Sequence, residues 1–189
     1  VFVFELTQDL HIYKTVRKVI VPSWMKFDDF HILIQFLNKW WNYHLYGFEF
    51  YGKASRFPEI NLMPIEDDFT DQEDRRIPTE GRTLDEFFPE YSEMTYKYDY
   101  GDGWEINVKL LEVIDDYLGS LPFLLEADGA APPEDVGGIG GFIEFRNAFL
   151  NPSDPEHESV REWAETWESE LDSFEKKPQE LYNFRHDYL

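Results

Sequence analysis

Thr95-Tyr96-Lys97-Tyr98-Asp99-Tyr100-Gly101-Asp102-Gly103-Trp104-Glu105-Ile106-Asn107-Val108-Lys109-Leu110 is the stretch on which the fold turns. Tyr96, Tyr98 and Tyr100 alternate with Lys97 and Asp99. After the glycines, Trp104, Ile106, Val108 and Leu110 alternate with Glu105, Asn107 and Lys109. An extended chain sends successive side chains to opposite faces, so the pattern predicts two strands, each with one buried face, joined at a Gly-Asp-Gly turn. A short link between right-twisted strands commonly needs a left-handed residue, which assigns a positive φ to Gly101 or Gly103. Leu110-Leu111 breaks the alternation and predicts a bulge in a second strand that continues through Val113-Ile114. The tip of the hairpin is acidic, with Asp99, Asp102 and Glu105 crowded there.

Toward the N-terminus, Val1–Leu6 and Lys14–Val21 are β-branched and aromatic runs, read as a first strand pair with Thr7-Gln8-Asp9 as a polar link. Pro22 ends the second run by removing a ladder donor. From Phe27 to Trp41 the period changes. Phe30, Leu33, Ile34, Leu37 and Trp41 form one helical stripe, and Asp28 and Asp29 sit in the first turn, where the helix dipole favours anions. Leu45–Tyr51 returns to strand character. Glu59–Arg82, with its acidic runs Glu66-Asp67-Asp68 and Asp71-Gln72-Glu73-Asp74, reads as a solvated loop. Thr83-Leu84-Asp85-Glu86 has the spacing of a capping box for a short helix closed by Pro89.

Beyond the hairpin, Ala127–Gly141 is an irregular Gly/Pro loop and Gly141–Leu150 a short helix stopped before Pro152. Asp154-Pro155 then starts a further helix, with a capping carboxylate followed by proline at the first helical position. That helix carries Trp163, Trp167, Leu171 and Phe174 as one stripe. The expectation is one α+β domain spanning residues 1–189. It has a mainly antiparallel sheet with packed helices and a C-terminal helical segment from about 154.

Composition narrows the function classes. The sequence has no cysteine, which excludes disulfides, thiolate zinc sites and cysteine nucleophiles within it. Aromatic residues make up 18% of the chain, which supports a bulky core. Lys and Arg number 17 against 39 Asp and Glu, a formal net charge of −22 whose field opposes phosphate backbones. Nucleic acid is therefore not an expected partner. No apolar run approaches the ~20 residues of a membrane span, and no basic-then-apolar leader opens the sequence. A cytoplasmic protein with no membrane association is expected.

Three segments in order carry a family resemblance. They are Phe30-His31-x-x-Ile34-Gln35 with Trp40, His44-Leu45 and Phe48; Tyr98-Asp99-Tyr100-Gly101-Asp102-Gly103-Trp104-Glu105; and Pro132-Pro133-Glu134-Asp135-Val136-Gly137-Gly138 with Gly141-Phe142. Together they resemble the plasmid pRiA-type Orf-three-like family, also labelled insertion-element passenger proteins of the TnpR kind. The resemblance covers about four-fifths of the chain, the span between the first strands and the Asp154–Trp163 segment. It implies association with plasmids and mobile elements and no established reaction. Where the family usually has a second acidic turn residue, a histidine after Trp-Glu and a cysteine before Pro-Pro-Glu-Asp, this chain has Gly103, Ile106 and Ala131. A site built on that histidine or cysteine is missing from this member.

The chemistry-bearing residues are Asp99, Asp102 and Glu105 at the hairpin tip, Glu134 and Asp135 in the Pro-Pro loop, and His44. They offer carboxylates for a hard metal or an acid/base pair and a nitrogen ligand beside them. The structural alternative is that Asp99 and Asp102 satisfy turn amides, Glu134 and Asp135 cap the next turn, and His44 caps the preceding helix. His31 and His157 are further nitrogen donors, and His31, in an apolar pattern, reads as a structural histidine. Gly137-Gly138-Ile139-Gly140-Gly141 lacks a following lysine and follows two acids, so it reads as a tight turn and not a phosphate cradle. With no complete catalytic motif, the leading expectation is a non-enzymatic accessory protein with a protein partner and no cofactor. The alternative is a carboxylate-based metal-binding or hydrolase-like enzyme.

Overall fold

The computed structural model describes residues 1–53, 55–64 and 76–167. In chain order the elements are β1 (Phe2–Asp9), β2 (Lys14–Val21), α1 (Phe27–Asn38), β3 (Tyr46–Tyr51), β4 (Pro58–Met63) and β5 (Arg76–Pro78). A 3-10 turn (Leu84–Glu86), β6 (Glu93–Tyr98), β7 (Trp104–Val113), β8 (Phe123–Asp128), α2 (Gly138–Leu150) and α3 (His157–Trp167) follow. Among the described residues the strands form one sheet in the order β5-β4-β3-β6-β7-β1-β2-β8. Only β4 and β5 run parallel. This is the expected α+β architecture, with helices on a mainly antiparallel sheet and one helix near the C-terminal end.

The predicted hairpin lies at the middle of that sheet. β6 and β7 pair with Tyr98 opposite Trp104, Tyr96 opposite Ile106 and Met94 opposite Val108, and all six are buried. Lys97 and Glu105 face each other on the opposite surface, where the Lys97 ammonium lies 3.1 Å from Glu105 and 3.3 Å from Glu49. The bulge is also present. β1 meets β7 as Val3 with Glu112 and then Phe4 with Leu110, leaving Leu111 without a partner in the register. Gly103 is the tip glycine with a positive φ, +72°.

α1 covers the sheet because its apolar stripe has nowhere else to go. Phe27, Phe30, Leu33 and Ile34 are completely buried, with Phe30 5.6 Å from Phe4 and Phe27 4.9 Å from Phe48 between ring centroids. Each such side chain contributes about 1.5–3 kcal/mol of hydrophobic stabilisation. The end of the helix is tied to the sheet by Arg17 of β2. Its buried guanidinium donates from Nε to the Leu37 carbonyl (3.1 Å) and from Nη1 to the Asp128 and Val16 carbonyls (2.8 and 2.9 Å). One arginine thereby joins α1, β2 and β8 and satisfies a helix-end carbonyl that has no partner within the helix.

Several boundaries differ from the sequence reading. β1 runs on through Thr7-Gln8-Asp9, because Thr7 pairs with both Val16 and Asn107 and the ladder to β2 continues to Asp9 opposite Lys14. α1 stops at Asn38, where Lys39 turns left-handed (φ 58°) and its amide bonds back to Phe36 at 3.2 Å. The tryptophan buried at this helix end is consequently Trp40, not Trp41, which is 46% exposed. Glu59–Met63 belongs to a strand, since β4 pairs with β3 from Phe48 with Leu62 to Tyr51 with Pro58. The acidic runs at 66–68 and 71–74 lie outside the described residues, as do Leu171 and Phe174 of the expected C-terminal stripe.

β8 has no alternation strong enough to announce it and forms because the edge of β2 is open to pairing. α2 begins at Gly138, three residues before the expected start. α3 begins at His157, because Asp154 closes a turn by accepting from Glu156 N–H at 2.9 Å before the helix starts. The 3-10 turn does carry the predicted reciprocal cap, with Glu86 accepting the Thr83 amide at 2.9 Å.

Candidate functional site

Three segments far apart in sequence meet at one end of the central hairpin. They are the linker 39–45 after α1, the tip Asp99–Gly103, and the loop Pro132–Gly137. Trp40 forms the floor. Its ring stacks on Tyr98 (5.0 Å) and Trp104 (6.3 Å), and its indole N–H donates to the Pro132 carbonyl at 3.0 Å. The apolar alternation of β6 and β7 therefore delivers an aromatic platform, and the Pro-Pro loop is fixed to it through a backbone carbonyl.

Above this floor the acidic residues separate into two groups. His44 Nε2 lies 2.9 Å from Asp135 Oδ1, 3.7 Å from Asp99 Oδ2 and 3.9 Å from Glu134 Oε1. One ligand atom each from His44, Asp99 and Asp135 falls within 4.8 Å of the others. Glu105 is not part of this group. Alternation sends it to the opposite face of the sheet, 61% exposed and paired with Lys97. Asp102 has a joining role, since its Oδ2 accepts the Gly137 amide at 3.1 Å and so ties the hairpin tip to the start of α2. His157 sits elsewhere, its buried Nδ1 2.9 Å from the Ala148 carbonyl between α2 and α3.

The structural alternatives hold for only some of these residues. Asp99 Oδ1 does accept the turn amides of Gly101 (3.0 Å) and Asp102 (3.3 Å), which leaves Oδ2 facing His44. Glu134 does not cap the turn that follows it. It accepts the Trp41 amide at 2.6 Å and a short bond from the Tyr98 hydroxyl. Nor does His44 cap α1, whose last carbonyls are taken by the amides of Lys39 and Trp40 and by Arg17. Burial, and then the neighbouring Glu134 carboxylate, raise the Tyr98 phenol well above its ordinary pKa, so it remains a donor at neutral pH.

Charge is unbalanced here. Asp99 and Glu134 are buried, and among the described residues the ion pairs of Asp99, Glu134 and Asp135 are all with His44. Backbone strain gathers at the same place. Asn42 (φ 58°), Asp99 (φ 50°) and Asp135 (φ 57°) are left-handed without being glycine, a conformation that costs of order 1 kcal/mol each.

Tyr98, Trp40, Gln35 and Asn42 also take part; the first three stand in the segments that carry the family resemblance but have no site role assigned from the sequence, and Asn42 stands in none of them. The signals for Tyr98 are its place on the inward face of β6 and in the hairpin segment beside Asp99. Gln35 stands one helical turn after His31 in a buried stripe, a spacing that puts two polar side chains side by side.

The joining role of Asp102 is open to measurement. Asp102→Asn keeps an oxygen acceptor for Gly137 and is expected to leave stability nearly unchanged. Asp102→Ala is expected to cost about 1 kcal/mol in urea unfolding. Equal midpoints for Asp102→Ala and wild type would show that this bond does not hold the two segments together.

Comparisons with known proteins place the chain in a family and match its fold. The Methanosarcina mazei Go1 protein of unknown function MM3350, known from its crystal structure, shares the fold. Its TM-score is 0.78 over 94% of this chain and 95% of the other, at 23% identity. Residues 1–177 match the family of plasmid pRiA4b ORF-3-like proteins, and the chain belongs to that family. The uncharacterized protein y4hQ of Sinorhizobium fredii (strain NBRC 101917 / NGR234) is 33% identical over 150 residues, 78% of this chain and 72% of the relative. The resemblance carried by the hairpin and Pro-Pro segments is thus a family relationship.

Proposed function

We propose that the protein binds a divalent metal ion through His44, Asp99 and Asp135, with Glu134 directly behind them. The observation that carries this reading is the convergence of three carboxylates on one imidazole nitrogen with no Lys or Arg pairing any of them among the described residues. Even a protonated His44 leaves that group negative, and Asp99 and Glu134, buried in it, have only hydrogen bonds and that one imidazole to offset their charge. A divalent cation supplies the missing charge. First-row divalent ions bond N and O ligands at about 2.0–2.2 Å, which sets neighbouring ligand atoms about 3–3.4 Å apart. Separations of 2.9 and 3.7 Å from His44 Nε2 bracket that value.

One imidazole with carboxylates suits manganese, iron or zinc better than a thiolate-seeking ion. Three protein ligands leave coordination positions for water, and a bound divalent ion acidifies such a water, which is the chemistry a hydrolase-like activity would use. The strained backbone at Asp99 and Asp135 supports the same reading, because strain of this kind clusters where ligands are held.

Titrating manganese or zinc into the full chain, with native mass spectrometry for stoichiometry, tests the reading. One ion per chain is expected, with a stabilisation of about 2.7 kcal/mol at a hundredfold excess over Kd. His44→Ala and Asp99→Ala are expected to weaken binding at least about tenfold, since each removes a ligand, while Glu105→Gln binds like wild type. Binding that ignores His44 and Asp99 would remove the proposal.

A second reading, an accessory protein acting through protein contacts, is favoured by Tyr43, Leu45 and Tyr100. They flank His44 and Asp99 in sequence and are 65%, 61% and 52% exposed. An ion that fixes the linker and the hairpin tip would also fix these side chains, so the two readings share one surface.

A further inference from the structure

The linker 39–45 that carries His44 has no regular structure of its own, yet three successive amides are taken by side chains from elsewhere. Trp41 N–H goes to Glu134 Oε2 (2.6 Å), Asn42 N–H to Gln35 Oε1 (3.0 Å) and Tyr43 N–H to the Tyr98 hydroxyl (3.1 Å). The second of these belongs to a closed ring of hydrogen bonds. Asn42 Oδ1 lies 2.7 Å from His31 Nε2, and His31 Nδ1 lies 2.8 Å from the Tyr96 hydroxyl. Gln35 Nε2 donates to that hydroxyl at 2.8 Å, and Gln35 Oε1 accepts the Asn42 amide.

The chemistry of the groups fixes the direction of every bond. An amide oxygen only accepts, so His31 must carry its proton on Nε2 and donate to Asn42. Nδ1 is then an acceptor, and the Tyr96 O–H donates to it. The ring is satisfied in one sense only. His31, Gln35 and Tyr96 are each almost fully buried, and His31 is stacked flat on Tyr46, 3.5 Å between centroids and 5° between planes. The ring thus has a rigid base in α1 and β6 and one exposed member, Asn42, which it holds in a left-handed conformation two residues before His44.

We infer that this ring positions His44 for the cation site. His31 and Gln35 set the backbone of the linker, and the linker presents the imidazole to Asp99 and Asp135. The inference rests on the cation reading for its functional half; the positioning of the linker stands on the hydrogen bonds alone. A left-handed Asn costs energy and persists only where its surroundings impose it. In metal sites, partners that orient a ligand from behind typically control affinity by about 10–100-fold.

The test uses the full chain with two substitutions. Gln35→Leu removes the acceptor of the Asn42 amide and keeps an apolar side chain in the core. Asn42→Gly removes the amide side chain and leaves a left-handed backbone unstrained, so this variant folds even if the first does not. Cobalt(II) binding is followed by visible absorption, and hydrogen exchange at Asn42 and Tyr43 is followed in the metal-free chain.

Both variants are expected to bind cobalt about 10–100-fold more weakly, with a visible spectrum altered by the displaced imidazole. Gln35→Leu should also lose exchange protection at Asn42 and Tyr43. Wild-type affinity and spectrum in both variants would overturn the inference. If the wild-type chain binds neither cobalt nor zinc, the cation reading fails and takes the functional half with it. The exchange comparison then decides the positioning alone, and unchanged protection in Gln35→Leu overturns that too.

Discussion

Gly138→Ala is expected to be among the most damaging single substitutions in this chain, lowering stability by about 2–5 kcal/mol, the combined scale of backbone strain and overpacking. Gly138 has φ +68°, and a Cβ built there would stand 2.5 Å from the carbonyl oxygen of Asp102. Real Cβ atoms do not approach oxygen so closely, so the hairpin tip and the start of α2 would have to move apart. The Gly137 amide, bonded to Asp102 at 3.1 Å, would move with them.

Gly103 provides the comparison. Its φ of +72° is almost the same, but nothing lies within 4 Å of its added Cβ. Gly103→Ala should therefore show the conformational term alone, about 1 kcal/mol. Urea unfolding of the two variants separates strain from collision. Equal losses would show that the tip and α2 are not in the close contact described above, and the joining of the two signature segments would fall with it.

The second large effect is a dependence on pH set by His31. Burial, the dominant cause, pushes its imidazole down to about 4, with the Asn42 hydrogen bond and Asp28 opposing weakly. The ring gives the same sign by a separate route. A proton on Nδ1 would face the Tyr96 hydroxyl with a second donor, and that hydroxyl would lose its acceptor in a buried place.

An unfolded His takes a proton near pH 6.5. Between about 6.5 and 4 the unfolded chain binds a proton that the folded chain refuses. Stability is therefore fully present above 6.5 and is lost as pH falls toward 4, by about 3 kcal/mol in all. Carboxylates titrate in the lower part of the same window, so the measurement is the difference between wild type and His31→Phe, which keeps an aromatic ring against Tyr46. The variant should be less stable at pH 7 and show a shallower decline between pH 6.5 and 4.5. Parallel declines would mean that His31 is not held neutral.

The two effects arise from different kinds of information. Gly137 and Gly138 are visible in the sequence as a glycine pair, and their need for a turn is local. What makes Gly138 irreplaceable is the Asp102 carbonyl, 36 positions away in the chain and brought there by the sheet. His31 is similar. An apolar helical stripe announces its burial, but its partners Tyr96 and Asn42 lie 65 and 11 residues distant.

Features whose physics is local were legible in the residues alone. Period-two alternation set the central hairpin and its inward face. The doubled leucine set the bulge, the Thr-x-x-Glu spacing set the reciprocal cap, and the helical stripe set which side of α1 meets the sheet. The three ordered segments were enough to identify the family.

The remaining features depend on contacts made when the chain folds. β8, and β4 within a stretch that looked like loop, are strands because open edges of β2 and β3 were available to pair them, and no local pattern encodes an available edge. Which carboxylates form the site was also decided there. Glu105 and Asp99 are equally acidic and six residues apart, yet alternation turns Glu105 to the Lys97 face, while a left-handed turn leaves Asp99 beside a histidine 55 residues earlier in the chain. A sequence states which groups can bear charge. Which of those charges must share one buried place depends on contacts between distant segments, and these exist only once the chain has folded.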